Sequence, residues 1–107
     1  VRVSSRVTHG LRVYASRLGA DVYYYRDSSG LEVDAVVEKP NGDCAIFEVK
    51  LGDGFVDEGA RALTALTKNV VEGKGRRILS RSVIVGSGYA YTRPDGINVI
   101  PLSALGV

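Results

Sequence analysis

Glu32, Asp34, Glu48 and Lys50 are the residues of this 107-residue chain whose types and spacing could do chemistry. They fall in Glu32-Val33-Asp34 and Glu48-Val49-Lys50, on two apolar runs separated by a short turn. A strand sends alternate side chains to one face. Glu32 and Asp34 are therefore expected to share a face of the first run, and Glu48 and Lys50 a face of the second. Paired as an antiparallel hairpin, the runs would bring three carboxylates and one amine to a single patch. Crowded carboxylates resist ionisation unless a cation joins them. Their oxygens suit a hard divalent ion such as Mg²⁺, leaving the lysine to manage a water or a phosphate. A plainer arrangement uses the same residues: on a solvated strand face, Lys50 would simply pair with Glu48 or Asp34 across the ladder. Two features favour a site. The second run is otherwise apolar (Ala45, Ile46, Phe47, Val49), so its charges need a reason. It also ends at Leu51-Gly52, beside a loop that can admit substrate.

The elements that must position these residues can be read along the chain. Val3, Val7, Leu11, Tyr14 and Leu18 make a stripe that predicts a helix over 3–18, ending at Gly19, with Gly10 as its weak point. Val22 to Tyr25 is β-prone, and Asp27-Ser28-Ser29-Gly30 is a turn. Leu31 to Glu38 alternates, which puts Leu31, Val33, Ala35 and Val37 opposite Glu32 and Asp34. Pro40-Asn41-Gly42-Asp43 closes the hairpin, and Ala45 to Leu51 is the partner strand. Asp57 is placed to cap a second helix with an Ala60, Leu63, Leu66 or Thr67, and Val70 stripe, stopped at Gly73 to Gly75. Ser82 to Val85 reads as a buried strand and Tyr89 to Tyr91 as a short one. Pro94-Asp95-Gly96 reads as a turn before Ile97 to Ile100. The helix between Leu51 and Val83 permits a crossover, so the expected class is α/β, a mixed sheet flanked by helices.

Composition bounds the function. The length suits one domain, and 45% hydrophobic with 24% charged residues is ordinary for a globular protein. A net charge of +2 does not demand a polyanionic partner, so a local patch would have to carry any such claim. The single Cys44 excludes an internal disulfide and a zinc framework, which fits a reducing interior. No apolar run approaches the roughly 20 residues of a membrane span, and no signal-peptide pattern opens the chain, so the expected location is the cytoplasm with no membrane partner. Val1 is not methionine, and residues 1–107 read as the C-terminal part of something longer or as the product of an alternative start.

Asp34, a short gap, then Glu48-Val49-Lys50, with a helix on either side, resembles the PD-(D/E)XK nuclease core, with Val33 where that motif often has proline. The stretch Tyr24-Tyr25-Arg26-Asp27-Ser28-Ser29-Gly30-Leu31-Glu32-Val33-Asp34 resembles more closely the C-terminal domain of a family of prokaryotic AAA+-like ATPases. Phe47 to Gly52, Gly88-Tyr89-Ala90-Tyr91 and Ile100 to Gly106 are similar to the same domain. This resemblance spans nearly the whole chain. It implies a restriction-endonuclease-like fold, Mg²⁺ held by Asp34 and Glu48 with the Val49 carbonyl, and Lys50 beside the attacking water. Catalysis would then rest on Asp34, Glu48 and Lys50. Relatives usually carry a further acid in the first helix; its position here is Ser4, and Glu32 is either the replacement or a solvated charge at the strand edge. They also usually carry an ATPase domain upstream, whereas no GxxxxGK[ST] occurs in this chain.

Other candidates are weighed against structural roles. Lys74, Arg76, Arg77 and Arg81 could contact nucleic-acid phosphates, though such a run is more often a solvated loop after a helix. Tyr23, Tyr24 and Tyr25 could stack bases, but consecutive strand residues cannot share one side, and core packing is favoured. His9 is expected on the surface, and Cys44 as a small buried residue. Three readings remain: Mg²⁺-dependent hydrolysis of a nucleic-acid phosphodiester, a weakly active or inactive module docking protein or nucleic acid for an ATPase partner, or a split-gene remnant with no independent activity. A homodimer is compatible with any of them.

Overall fold

Val7, Leu11 and Ala15 stand at successive i, i+4 positions and form the buried face of α1 (Ser5–Leu18) in the computed structural model, which describes residues 5–52, 54–70 and 76–105. The expected stripe differs. Val3 lies outside the described residues, and Tyr14 and Leu18 are 45% and 39% exposed. Small Ala15 faces the sheet, while Tyr14 flanks the contact with its ring edge-on to Phe47, centroids 6.3 Å apart. Gly10 has a packing reason: a Cβ there would meet Leu105 Cβ at 3.2 Å, so its absence lets the 3₁₀ turn Leu102–Leu105 close against the helix.

Three antiparallel strands follow, β1 (Asp21–Arg26), β2 (Glu32–Glu38) and β3 (Asp43–Lys50). The β1–β2 turn is organised by Asp27, whose Oδ1 accepts from the Ser29 and Leu31 N–H groups at 2.9 and 3.3 Å. The β2–β3 turn is the expected one: Gly42 takes a left-handed φ of 92° and its N–H donates to Lys39 O at 2.9 Å. The chain then crosses through α2 (Val56–Val70) to β4 (Arg77–Val85), parallel to β3. β5 (Tyr91–Thr92) and β6 (Asn98–Pro101) form a final hairpin around the Pro94-Asp95-Gly96 turn, with β6 parallel to β4. The result is a six-stranded mixed sheet in the order β1-β2-β3-β4-β6-β5, covered on one face by α1 and on the other by α2.

Burial explains the layering. Ala60, Leu63 and Leu66 of α2 pack on Val33, Val36, Ile46, Val83 and Val99. On the other side, Val7, Leu11 and Ala15 of α1 pack on Ala35, Val37, Ala45, Phe47 and Ile84. Gly59 lets α2 lie close to the sheet, since a Cβ there would meet Lys50 Cγ and Val83 Cγ2 at 3.2 Å.

Three local expectations change. The short strand expected at Tyr89 to Tyr91 falls instead at Tyr91–Thr92. β4 begins at Arg77 rather than Ser82, because its first residues pair with Asp43 and Cys44 while its polar side chains stay accessible. Asp57 is 79% exposed at its side chain and pairs with Arg93 at 2.5 Å, so it tethers α2 to the β5–β6 hairpin rather than standing before the helix as its cap. Among the described residues, no helix is long and apolar enough to cross a membrane.

Candidate functional site

Strict alternation along β2 fails at the residue that matters most. Tyr23 pairs with Val36 and Tyr25 with Val33, so two steps of β1 span three of β2, and the extra residue falls at Asp34-Ala35. Leu31 and Val33 therefore join the α2-side core, whereas Ala35 and Val37 join the α1-side core. Asp34 is carried out of the alternation, and its carboxylate reaches across to β3.

There it meets Glu48. The last β2–β3 register pair is Ala35 with Phe47. One step beyond, side chains take over the role of the ladder. Asp34 Oδ2 accepts from the Val49 N–H at 2.8 Å, and Glu48 Oε2 accepts from the Asp34 N–H at 2.9 Å. These reciprocal bonds hold the two acids at the fork where the strands part. Glu48 is only 6% exposed. Burial, reinforced by the adjoining Asp34 carboxyl, pushes the Glu48 carboxyl up to about 8, against a smaller opposing pull from the Asp34 N–H and Lys50. The Glu48 carboxyl is thus largely protonated at neutral pH, with Asp34 as its side-chain partner.

Lys50 shares the α2-side face with Glu48, as alternation along β3 predicts. Its amine is held at 3.2 Å by Glu58 in the first turn of α2. This partner was legible only as an acid just after the helix start, because nothing local shows that α2 folds back over the end of β3.

Glu32 is not brought to the pair. It sits between Leu31 and Val33, which both turn to the α2 side, and it receives a hydrogen bond from the Tyr24 hydroxyl at the exposed sheet margin. The expected convergence of three carboxylates is therefore corrected to two, and the bulge is the cause. Among the described residues, no group of three or more His, Cys, Asp or Glu side chains could hold a metal ion. Ser4, the position of the missing helix acid, lies outside the described residues.

The basic segment is not a free patch. Arg76 pairs with Glu38 at 3.2 Å and Arg77 with Asp43 at 3.2 Å, while Arg81 Nη2 donates to Asp95 O at 2.8 Å. Glu38 is held below its usual range by the Tyr23 hydroxyl and then Arg76, and Asp43 by Arg77. Arg77 and Arg81 belong to β4, not to a loop, and Lys74 lies outside the described residues. The tyrosines divide: Tyr23 and Tyr25 pack on the α2-side core, and Tyr24 is 42% exposed. His9 is exposed, as expected. Cys44 is buried, and its thiol is pushed up by desolvation, which suits packing rather than nucleophilic attack.

The molecule is thus a mixed α/β domain with a proton-holding acid pair at a strand fork and a lysine two residues on. Comparison with known families places it further. The profile of a domain of unknown function (DUF4143) matches residues 5–105, and the chain belongs to that family. A search of curated proteins and a search of solved structures each return no match.

Proposed function

We propose that the Asp34–Glu48 fork is a divalent-cation site of the PD-(D/E)XK nuclease type, serving metal-dependent hydrolysis of a nucleic-acid phosphodiester in the cytoplasm. The observation that carries this reading is the reciprocal pair of side-chain bonds across β2 and β3, with Lys50 following on the same face as Glu48. The donor set fits a hard ion. Each acid gives one oxygen to a neighbouring backbone N–H, and the proton that Glu48 holds bonds to the Asp34 carboxyl, which marks a place where positive charge is wanted. Asp34 and Glu48 would be the protein ligands, with the Val49 carbonyl as the further oxygen expected from the motif. When bound, Mg²⁺ would polarise the phosphate and acidify a water. Glu48 must give up its proton for this, so occupancy rises with pH. Lys50 must exchange Glu58 for the water or the developing phosphate charge, which an exposed ion pair allows at small cost.

A second reading is favoured by a specific observation: two acids rather than three, with the lysine already paired, suit a weakly active or inactive module that docks an ATPase partner. Cleavage of single-stranded, duplex and branched nucleic acid, assayed with Mn²⁺ at pH 8, separates the two. A catalytic domain cuts, and Lys50→Ala loses on the order of a hundredfold in rate while retaining Mn²⁺ binding. A docking module leaves wild type and Lys50→Ala equally inert.

A further inference from the structure

Strands buried under a helix ordinarily present apolar side chains to it, and β3 does so toward α1 with Ala45 and Phe47. The same face of β4 carries Ser80 and Ser82 before Ile84, and that of β6 carries Asn98 before Ile100. Phe47, Ser82 and Asn98 form one lateral register row. α1 covers its Phe47 end, where Tyr14 meets the ring, and leaves the polar end as the floor of a cleft of about 580 Å³. Leu105, seated against Gly10, closes one side. The size is within the range of small-molecule sites.

The floor is equipped to bind. Ser82 is 3% exposed, yet its hydroxyl has no hydrogen-bond partner among the described residues. No sealed side-chain polar atom there lacks a partner, so this hydroxyl opens into the cleft. Asn98 Oδ1 is occupied by the Thr92 hydroxyl at 2.8 Å, which fixes the amide and leaves its NH₂ as a donor. At the mouth stand His9 and Arg17, both exposed, and Arg17 has no ion-pair partner among the described residues. Among the described residues, the lining contains no acid.

We propose that this cleft binds a small amphipathic organic anion, its apolar body against the Tyr14–Phe47 wall, its acceptors on Ser82 and Asn98, and its carboxylate or phosphate at Arg17. The Ser82 and Asn98 donors and the Arg17 guanidinium, beside an aromatic wall, select that class. The cleft lies on the face of the sheet opposite Glu48 and Lys50, so the proposal stands apart from the nuclease reading.

The test uses naphthoate and its uncharged methyl ester, titrated into the ¹⁵N-labelled chain and followed by amide shifts. Naphthoate should saturate one site with shifts confined to residues 9–17, 80–82 and 98–105. Arg17→Gln, a surface change, should weaken naphthoate about tenfold and leave the ester unaffected. Ser82→Phe should fill the cleft and abolish both; should it fail to fold, the Arg17→Gln comparison decides. Shifts scattered over the surface, no saturable binding, or equal effects of Arg17→Gln on acid and ester would overturn the proposal.

Discussion

Glu48→Gln should change how stability depends on pH, and the size of the change follows from the fork. In the folded chain burial pushes the Glu48 carboxyl up to about 8; in the unfolded chain it returns to an ordinary value of about 4.3. A raised carboxyl binds more protons in the folded state between those two values. Its contribution is therefore complete below the unfolded value and is lost as pH rises through the folded one. The slope in that window is at most about 1.4 kcal/mol per pH unit, or roughly 4 kcal/mol between pH 5 and 8.5. That is a large share of the 5–15 kcal/mol typical of a domain. The carboxylates held low here, Asp27, Glu38, Asp43 and Asp95, act in the opposite sense, and their contributions fade only below about pH 4, outside the window. Glutamine keeps an oxygen for the Asp34 N–H and offers an NH₂ to the Asp34 carboxylate, as the protonated acid does. Urea unfolding followed by circular dichroism, at intervals from pH 5 to 8.5, should show wild type losing several kcal/mol and Glu48→Gln staying nearly flat. At pH 5 the two should be close; at pH 8.5 the variant should be the more stable. A flat wild-type profile, or a variant that falls in parallel with it, would refute the assignment of the proton to this carboxyl.

Three further outcomes follow from the packing. Asp34→Ala should cost about 1–3 kcal/mol by stranding the Val49 N–H, while Asp34→Asn, which still offers an oxygen, should cost less; denaturant midpoints compare them directly. Leu63→Ala, at a side chain with 0% exposure beneath α2, should cost about 2–5 kcal/mol in the same measurement, and a loss under 1 kcal/mol would mean α2 is not packed as described. Gly86→Ala would set a Cβ 2.7 Å from Leu51 O, forcing apart the ends of β3 and β4; a cost of about 1–3 kcal/mol is expected, with amide shifts centred on Leu51 and Gly86.

Much of the architecture was legible because it follows from local chemistry. The Asn41-Gly42 turn, the Ala60-Leu63-Leu66 face and the crossover length each point to one arrangement, and their combination yields a mixed α/β sheet. The site was only partly legible. Leu31, Val33, Ala35 and Val37 are all apolar, so a period of two runs through them unbroken, and the pattern is blind to a bulge that sends the first two to one core and the last two to the other. That blindness misplaced Glu32. The start of β4 was hidden for a related reason: Arg76, Arg77 and Arg81 give the segment the charge of a loop around Ile78 and Leu79, and its strand character shows in the pairing with β3. The partners Glu58 for Lys50 and Glu38 for Arg76 join segments 8 and 38 residues apart, a relation set by the fold.

The most direct test of the central claim is calorimetric titration of Mn²⁺ into wild type, Asp34→Asn and Glu48→Gln at pH 6 and pH 8. Two carboxylates with most of the coordination left to water imply weak binding. Because the ion must displace the Glu48 proton, affinity should rise by close to tenfold per pH unit toward about 8, with proton release seen in buffers of different ionisation heat. Each variant should lose the binding at both pH values. Binding of equal strength in Asp34→Asn and Glu48→Gln, or an affinity indifferent to pH in wild type, would contradict a cation site at the fork.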